Sequence, residues 1–199
     1  MLDFKKITLE DKEILMKYLY RYGENSCQHS FVSMFCMAEK YGDMYAEDNG
    51  YIFILRSSKC TSEHRIYLFP MGDMENKKAL MDAISKILED AKEHGKKVRF
   101  ETLTKKATDA INSLFPGRFK SENIRDYAEY IYTHEKLSLL PGKELASKRY
   151  DINTFFRDYG ERCVIETISL KHMEEIKAFQ KVWLSDMLKD AEDVQLELE

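Results

Sequence analysis

The chain has 199 residues, 44% of them hydrophobic and 12% aromatic, with three prolines, which is enough apolar material for a buried core and excludes a disordered chain. No apolar run approaches the roughly 18 residues that a bilayer span needs, and the opening MLDFKKITLEDKE lacks the apolar stretch of a secretion signal, so a cytoplasmic location is expected. The net charge of −4 is concentrated at one end, where six acids between Asp186 and Glu199 face the single Lys189; the rest of the chain is nearly neutral, and an anionic ligand is not excluded.

The first element is a short strand at Phe4 to Thr8, followed by a helix with Thr8 at its N-cap, Asp11 at the capping-box position and Ile14, Leu15, Tyr18, Leu19 and Tyr22 on one face. Gly23 ends it. A second helix runs from about Cys27 to Tyr41 on Phe31, Met34, Phe35 and Ala38, and Gly42 closes it. The period then changes. Met44 to Glu47, Tyr51 to Ser57 and Arg65 to Met71 are rich in Tyr, Ile, Phe and Leu and predict an antiparallel meander.

Asn76 to His94 repeats apolar residues at helical spacing up to Gly95, Val98 to Leu103 reads as the next strand, and Thr104 to Phe115 as a helix stopped by Pro116-Gly117. Tyr127 to Tyr132 alternates as a strand should. A helix is expected from Lys143 to Tyr159, a strand from Arg162 to Ser169, and a closing helix from Lys171 to about Asp190. One strand, two helices, a meander and a helix crossing to a further strand is the order of the GNAT-like acyltransferase fold, so the fold class expected is α+β, with a mixed, mostly antiparallel sheet flanked by helices.

A CoA-type acyltransferase of that fold holds its pyrophosphate on a Gly-rich loop leading into a helix. The corresponding stretch, FPMGDMENKK at 69 to 78, has one glycine and places Asp73 and Glu75 beside it. It reads as a strand-to-helix turn capped by Asp73, and acetyl-CoA is the weaker donor candidate. Cys27, Cys36, Cys60 and Cys163 form no CxxC pair, match no common zinc spacing and read as ordinary buried thiols. The five histidines are scattered, and none stands beside a serine or cysteine in a nucleophile motif.

The more informative stretch is LLPGKELASKRYDINTFFRDYG at 139 to 160. A helix beginning near Lys143 would carry Lys143, Lys148 and Arg149 around its N-terminus, with Arg125 and Arg118 shortly upstream, a pattern suited to phosphate. Glu144, Asp151 and Asp158 interleave with these bases, which is equally the pattern of a solvated helix face.

YLFPMG at 67 to 72, the aromatic run at Tyr127 to Tyr132 and the LPGKELASKRYDINTF segment together resemble the DUF2156 family and the C-terminal domain of phosphatidylglycerol lysyltransferase. The resemblance runs through nearly the whole chain. It implies a tandem of two GNAT-like folds: one over residues 1–160, and the first strand and helix of an incomplete second one over 161–199. It also implies an aminoacyl- or acyltransferase moving its group to an amine or hydroxyl acceptor, with aminoacyl-tRNA as donor and no resident cofactor.

Carried onto this chain, the motif positions are Gly142, Lys143, Lys148, Arg149, Ile152 and Asn153. The substrate-binding candidates are Lys143, Lys148, Arg149, Asn153 and Arg125, facing tRNA or a phospholipid headgroup. Ala146 and Tyr150 depart from the family pattern, which has His and Asn there. The alternative is a non-catalytic binding module, because Met173, Ile176, Phe179, Val182, Trp183 and Leu184 give the 171–190 helix more apolar surface than one face needs and suit a homodimer.

Overall fold

The computed structural model describes residues 2–24 and 26–187, and the chain divides into two compact units, Met1–Tyr130 and Ile131–Glu199. The boundary at 160 and 161 implied by the family likeness falls inside the second unit. The chain from 188 onward, which holds most of the acidic run and the last turn expected of the closing helix, lies outside the described residues.

The first unit is α+β. Its five strands, β1 (Lys5–Lys6), β2 (Met44–Asp48), β3 (Tyr51–Leu55), β4 (His64–Tyr67) and β5 (Lys97–Phe100), lie in that order across one sheet. The first four are antiparallel neighbours, whereas β5 runs parallel to β4 because the helix α3 (Lys77–Glu93) carries the chain back across the sheet. Helices α1 (Lys12–Tyr22) and α2 (Phe31–Tyr41) precede β2, and α4 (Lys105–Leu114) follows β5. This is the element order expected from the sequence.

The central strand explains the layering. All five residues of YIFIL in β3 are buried, so both faces of the sheet are covered. Tyr51, Phe53 and Leu55 enter the core shared with Leu80, Ile84 and Ile87 of α3 and Ile111 of α4. Ile52 and Ile54, pointing the other way, join Leu15 and Leu19 of α1 and Met34 of α2. A one-residue register slip would exchange the two sets, so the pattern fixes the pairing.

Two buried ionic groups tie helices to this sheet. Asp11 closes the capping box on Thr8, accepting from its backbone N–H at 2.9 Å and its hydroxyl at 2.8 Å, and also accepts from Lys5 at 3.0 Å and from the Tyr45 hydroxyl. Burial raises the Asp11 carboxyl, but the bonds from Tyr45, Lys5 and Thr8 outweigh that and hold it well below the usual carboxylate range. On the opposite face Asp90 of α3, 1% exposed in its side chain, accepts from Arg65 Nε at 2.7 Å and from the Tyr67 hydroxyl.

The strand expected at 127–132 is not formed. A short 3-10 turn occupies Arg125–Tyr127, and Tyr127, Tyr130 and Tyr132 are exposed. Alternation alone cannot make a strand without a partner to complete its hydrogen bonds, and among the described residues none pairs with this stretch.

The second unit holds α5 (His134–Leu139), α6 (Ala146–Tyr159) and α7 (Met173–Met187). Among its described residues there is no strand, so the one expected at 162–169 is also absent, and Val164, Ile165 and Ile168 stand exposed. Leu184 is the one buried hydrophobic residue among those described here.

Candidate functional site

The first unit has a cleft at the carboxyl ends of its two parallel strands, the place where open α/β sheets hold ligands. The opening arises from the backbone on both sides. Beyond β4, Leu68 still bonds to Ile54, but Met71 bonds to Ile52, so three residue steps on one strand oppose two on the other. The extra residue is a bulge at Phe69-Pro70, and it turns YLFPMG away from the sheet. Beyond β5, the Glu101 N–H still donates to the Tyr67 carbonyl at 3.0 Å, and then Thr102 takes φ +54° and leads the chain off to α4.

A β-branched residue in that left-handed region is strained and is held there by its surroundings. The Thr102 hydroxyl has two acceptors within reach of its one proton, the Glu101 carbonyl at 2.8 Å and Gln28 Oε1 at 3.1 Å, and Arg56 Nη1 donates to the same Gln28 oxygen at 2.9 Å. Arg56 Nε lies 3.0 Å from Asp43 Oδ2 and pairs with it as a charge, and among the described residues Asp43 Oδ1 has no hydrogen-bond partner. Burial pushes the Asp43 carboxyl up, against the pull of Arg56 and Lys59. Lys59 in turn reaches Glu101 Oε2 at 3.2 Å. The charges of this floor balance, two cations against two carboxylates.

The wall facing the bulge comes from the segment between α1 and α2. Ser26 caps the 3-10 turn Cys27–His29, and Glu129 accepts from the Ser26 hydroxyl at 2.8 Å and the Cys27 N–H at 3.1 Å. Glu24 accepts from the Thr104 hydroxyl at 2.9 Å, while its backbone N–H donates to His29 Nδ1 at 2.8 Å. Burial lowers the His29 pKa, with Glu24 and Glu129 pulling the other way. The cleft is lined by Tyr22, Leu68, Phe69, Met71, Met74 and Leu103 around the polar groups of Glu24, His29, Glu101, Thr102 and Thr104, and its cavity is small, about 20 Å³. Glu24 brings a second carboxylate to this lining beside Glu101, which Lys59 holds.

The loop after the bulge is not built for a pyrophosphate. A Cβ on Gly72 would stand 2.2 Å from the Tyr51 ring, so this glycine is required for close packing on Tyr51. Asp73 does not cap the helix as expected: Asn76 does, accepting from the Ala79 N–H at 3.1 Å, while Asp73 closes a local turn on the Glu75 N–H at 2.9 Å.

The residues singled out by sequence lie elsewhere. Arg125 belongs to the first unit, in the 3-10 turn, with its guanidinium over the Tyr130 ring at 6.0 Å. The others are in the second unit. Helix α6 starts at Ala146, so Lys143 sits in the exposed turn before it. Lys148 is exposed, 3.7 Å from Asp151, and Asn153 is exposed. Arg149 is turned inward: Nη1 donates to the Gly142 carbonyl at 2.8 Å and to the Leu140 carbonyl. Leu140 and Gly142 both have positive φ, and the guanidinium satisfies the carbonyls that this Pro-Gly turn leaves over. Arg125 is not among the residues that line the cleft of its unit.

Sequence reasoning overlooked His29, Glu24 and Glu101 because the segments that meet at the cleft are far apart along the chain, Glu24 bonding to Thr104 and Glu101 to Lys59, and no local motif marks them. Cys27 and Cys36 are exposed and Cys60 and Cys163 half-buried, a correction to the buried thiols expected. Among the described residues no helix is long and apolar enough to cross a membrane, and no group of His, Cys, Asp and Glu could hold a metal ion.

A solved structure shares this fold: a conserved protein of unknown function from Bacteroides thetaiotaomicron VPI-5482, 23% identical, aligns with a TM-score of 0.83 over 99% of this chain and 64% of its own length. The chain thus spans less than two thirds of that neighbour. No curated protein matches it. The family model for the phosphatidylglycerol lysyltransferase C-terminal domain matches residues 20–197, which takes in both the cleft of the first unit and the basic turn of the second. With nine tenths of its length matched, the chain belongs to the phosphatidylglycerol lysyltransferase C-terminal family.

Proposed function

We propose that this chain is the substrate-holding part of an aminoacyl- or acyltransferase that moves its group to an amine or hydroxyl acceptor, with aminoacyl-tRNA as the donor. The observation that carries this reading is the cleft at the ends of β4 and β5, formed by a bulge and a strained Thr102 and lined by carboxylates in place of phosphate-binding amides. Carboxylates in the lining disfavour CoA phosphates and favour an ammonium-bearing group such as an aminoacyl ester.

Such an ester is already activated. The acceptor nitrogen or oxygen bonds to the carbonyl carbon, the bond to the ribose oxygen breaks, and the acceptor's proton passes to that leaving oxygen. Catalysis is then mostly a matter of holding the two partners in line. Lys143 and Lys148, exposed on the second unit, are the side chains available to a tRNA phosphate or an anionic phospholipid headgroup, with Asn153 and Arg125 as further contacts. Arg149 would act through the turn it closes.

The test is binding of lysyl-tRNA and of uncharged tRNA to the full chain at two salt concentrations. The reading expects binding that weakens with salt, is tighter for the charged form, and falls in a Lys143→Ala, Lys148→Ala double variant. Equal affinity for both forms, unaffected by that variant, would remove it. A second reading has one observation in its favour: Phe179, Val182 and Trp183 stand exposed on α7, a face suited to pairing two copies. Sedimentation that shows a monomer at high concentration would discard it.

A further inference from the structure

A second cavity lies at the start of β3, between the β2–β3 hairpin turn and the first half of α3, and the local sequence makes it. Asp48 pairs with Tyr51, so the hairpin is closed by the two residues Asn49 and Gly50, whose φ of +46° and +79° are the left-handed pair that so tight a turn requires. On α3, Ala79, Asp82, Ala83 and Lys86 recur at helical spacing and so share one side. Two of these four carry only a methyl group, and the space they leave open beside the hairpin measures about 190 Å³, with Tyr51 and Phe53 among its lining residues. An apolar cavity of about 150 Å³ is enough to hold a benzene molecule.

The charged groups that line this cavity are unevenly matched. Lys86 reaches the Asp48 carboxylate, and that ion pair ties the helix to the hairpin. Asp82 is exposed and has no ion pair among the described residues. Two carboxylates thus stand against one ammonium, which disfavours an anion and favours a cation. Aromatic and methyl surface beside an unpaired carboxylate suits a ligand with a small apolar body and one positive group.

Tyr51 connects this cavity to the cleft. Its ring packs on Gly72, which lines the cleft and has no room for a Cβ against that ring, and its hydroxyl donates to the Asp73 carbonyl at 2.6 Å. A side chain packed this closely passes a displacement on to its neighbours. We propose that the cavity is a second ligand site, for a small organic ammonium with an apolar body about the size of a benzene ring, and that Tyr51 transmits its occupancy to the Gly72-Asp73 loop. The site is separate from the one invoked in the transferase reading and does not depend on it. Because coupling between two sites is reciprocal, a ligand in either one alters the affinity of the other.

The experiment titrates benzylammonium, benzyl alcohol and benzoate, three probes with one apolar body and different charge, into the full chain and follows backbone amide and alanine methyl spectra. Benzylammonium is expected to bind about fivefold more tightly than the alcohol and benzoate more weakly than either, with shifts at Asn49, Ala79 and Ala83 and, through Tyr51, at Gly72 and Asp73. Asp82→Asn, at an exposed position, should remove the preference for the ammonium and leave the binding of the alcohol unchanged. Ala79→Leu, which fills the space from a half-buried position, should abolish binding of all three, and Tyr51→Phe should keep the affinity while shrinking the shift at Asp73. No binding of benzylammonium, equal binding of the three probes, or a preference that survives Asp82→Asn would overturn the site. Shifts confined to 48–53 and 79–86 would overturn the coupling.

Discussion

The two units are built on opposite terms. The first puts a strand buried on both faces between two helical layers and satisfies its internal charges in pairs, so its side chains have fixed neighbours and can hold a geometry. The second exposes Phe155, Phe156 and Tyr159 on α6 and Phe179, Val182 and Trp183 on α7, with Leu184 alone buried among its described hydrophobic residues. A site that needs positions fixed to a fraction of an ångström belongs on the first kind of scaffold; a surface meant to meet a large partner is compatible with the second. The cleft and the exposed lysines fall on these two sides in that way.

The sharpest way to break this contrast is to cut into each unit equally. Phe53→Ala, at a fully buried position in β3, should cost about 3–5 kcal/mol in urea unfolding, whereas Phe179→Ser should change stability by less than about 0.5 kcal/mol and improve solubility. Equal losses would mean that both units share one cooperative core. Next in size is Asp90→Ala, which leaves the Arg65 guanidinium, 16% exposed, without its counter-charge and should cost about 3 kcal/mol, again read from unfolding.

A smaller effect comes with pH. Because the Asp11 carboxyl titrates lower in the folded than in the unfolded chain, its bonds add stability above the unfolded value of about 4, and that share is lost as pH falls below it. Asp11→Asn should flatten the stability profile in acid and leave its slope near neutrality unchanged; an identical acid slope in both proteins would contradict the assignment. Smallest of all, Arg149→Ala should cost about 1 kcal/mol through the turn at 140–142, while Lys143→Ala and Lys148→Ala should cost almost nothing and act only on polyanion binding.

The legibility of each part follows the range of the forces that make it. The capping box at Thr8 and Asp11, the buried run YIFIL and the crossing helix α3 could be read because their signals lie within a few residues of each other. The strands expected at 127–132 and 162–169 carry the right alternation, yet pairing depends on a partner that no local pattern specifies. The bulge at Phe69-Pro70 is a register offset of one residue against Ile52 and Ile54, and the left-handed Thr102 is a residue type that predicts the opposite. Arg149 looked like a phosphate ligand because its charge is visible in the sequence and the carbonyls of Leu140 and Gly142 that occupy it are not. The charged motif was therefore conspicuous and the cleft silent, although the cleft is where separated segments converge.

Hydrogen exchange measured with and without L-lysinamide on the full chain tests the central claim most directly, since it reports where along the backbone the ligand is felt. Slowed exchange in the segments around 24–29, 68–74 and 101–107, with 134–187 unchanged, is the result this account predicts. Protection confined to the helices of the second unit, or none anywhere at saturating ligand, would contradict it.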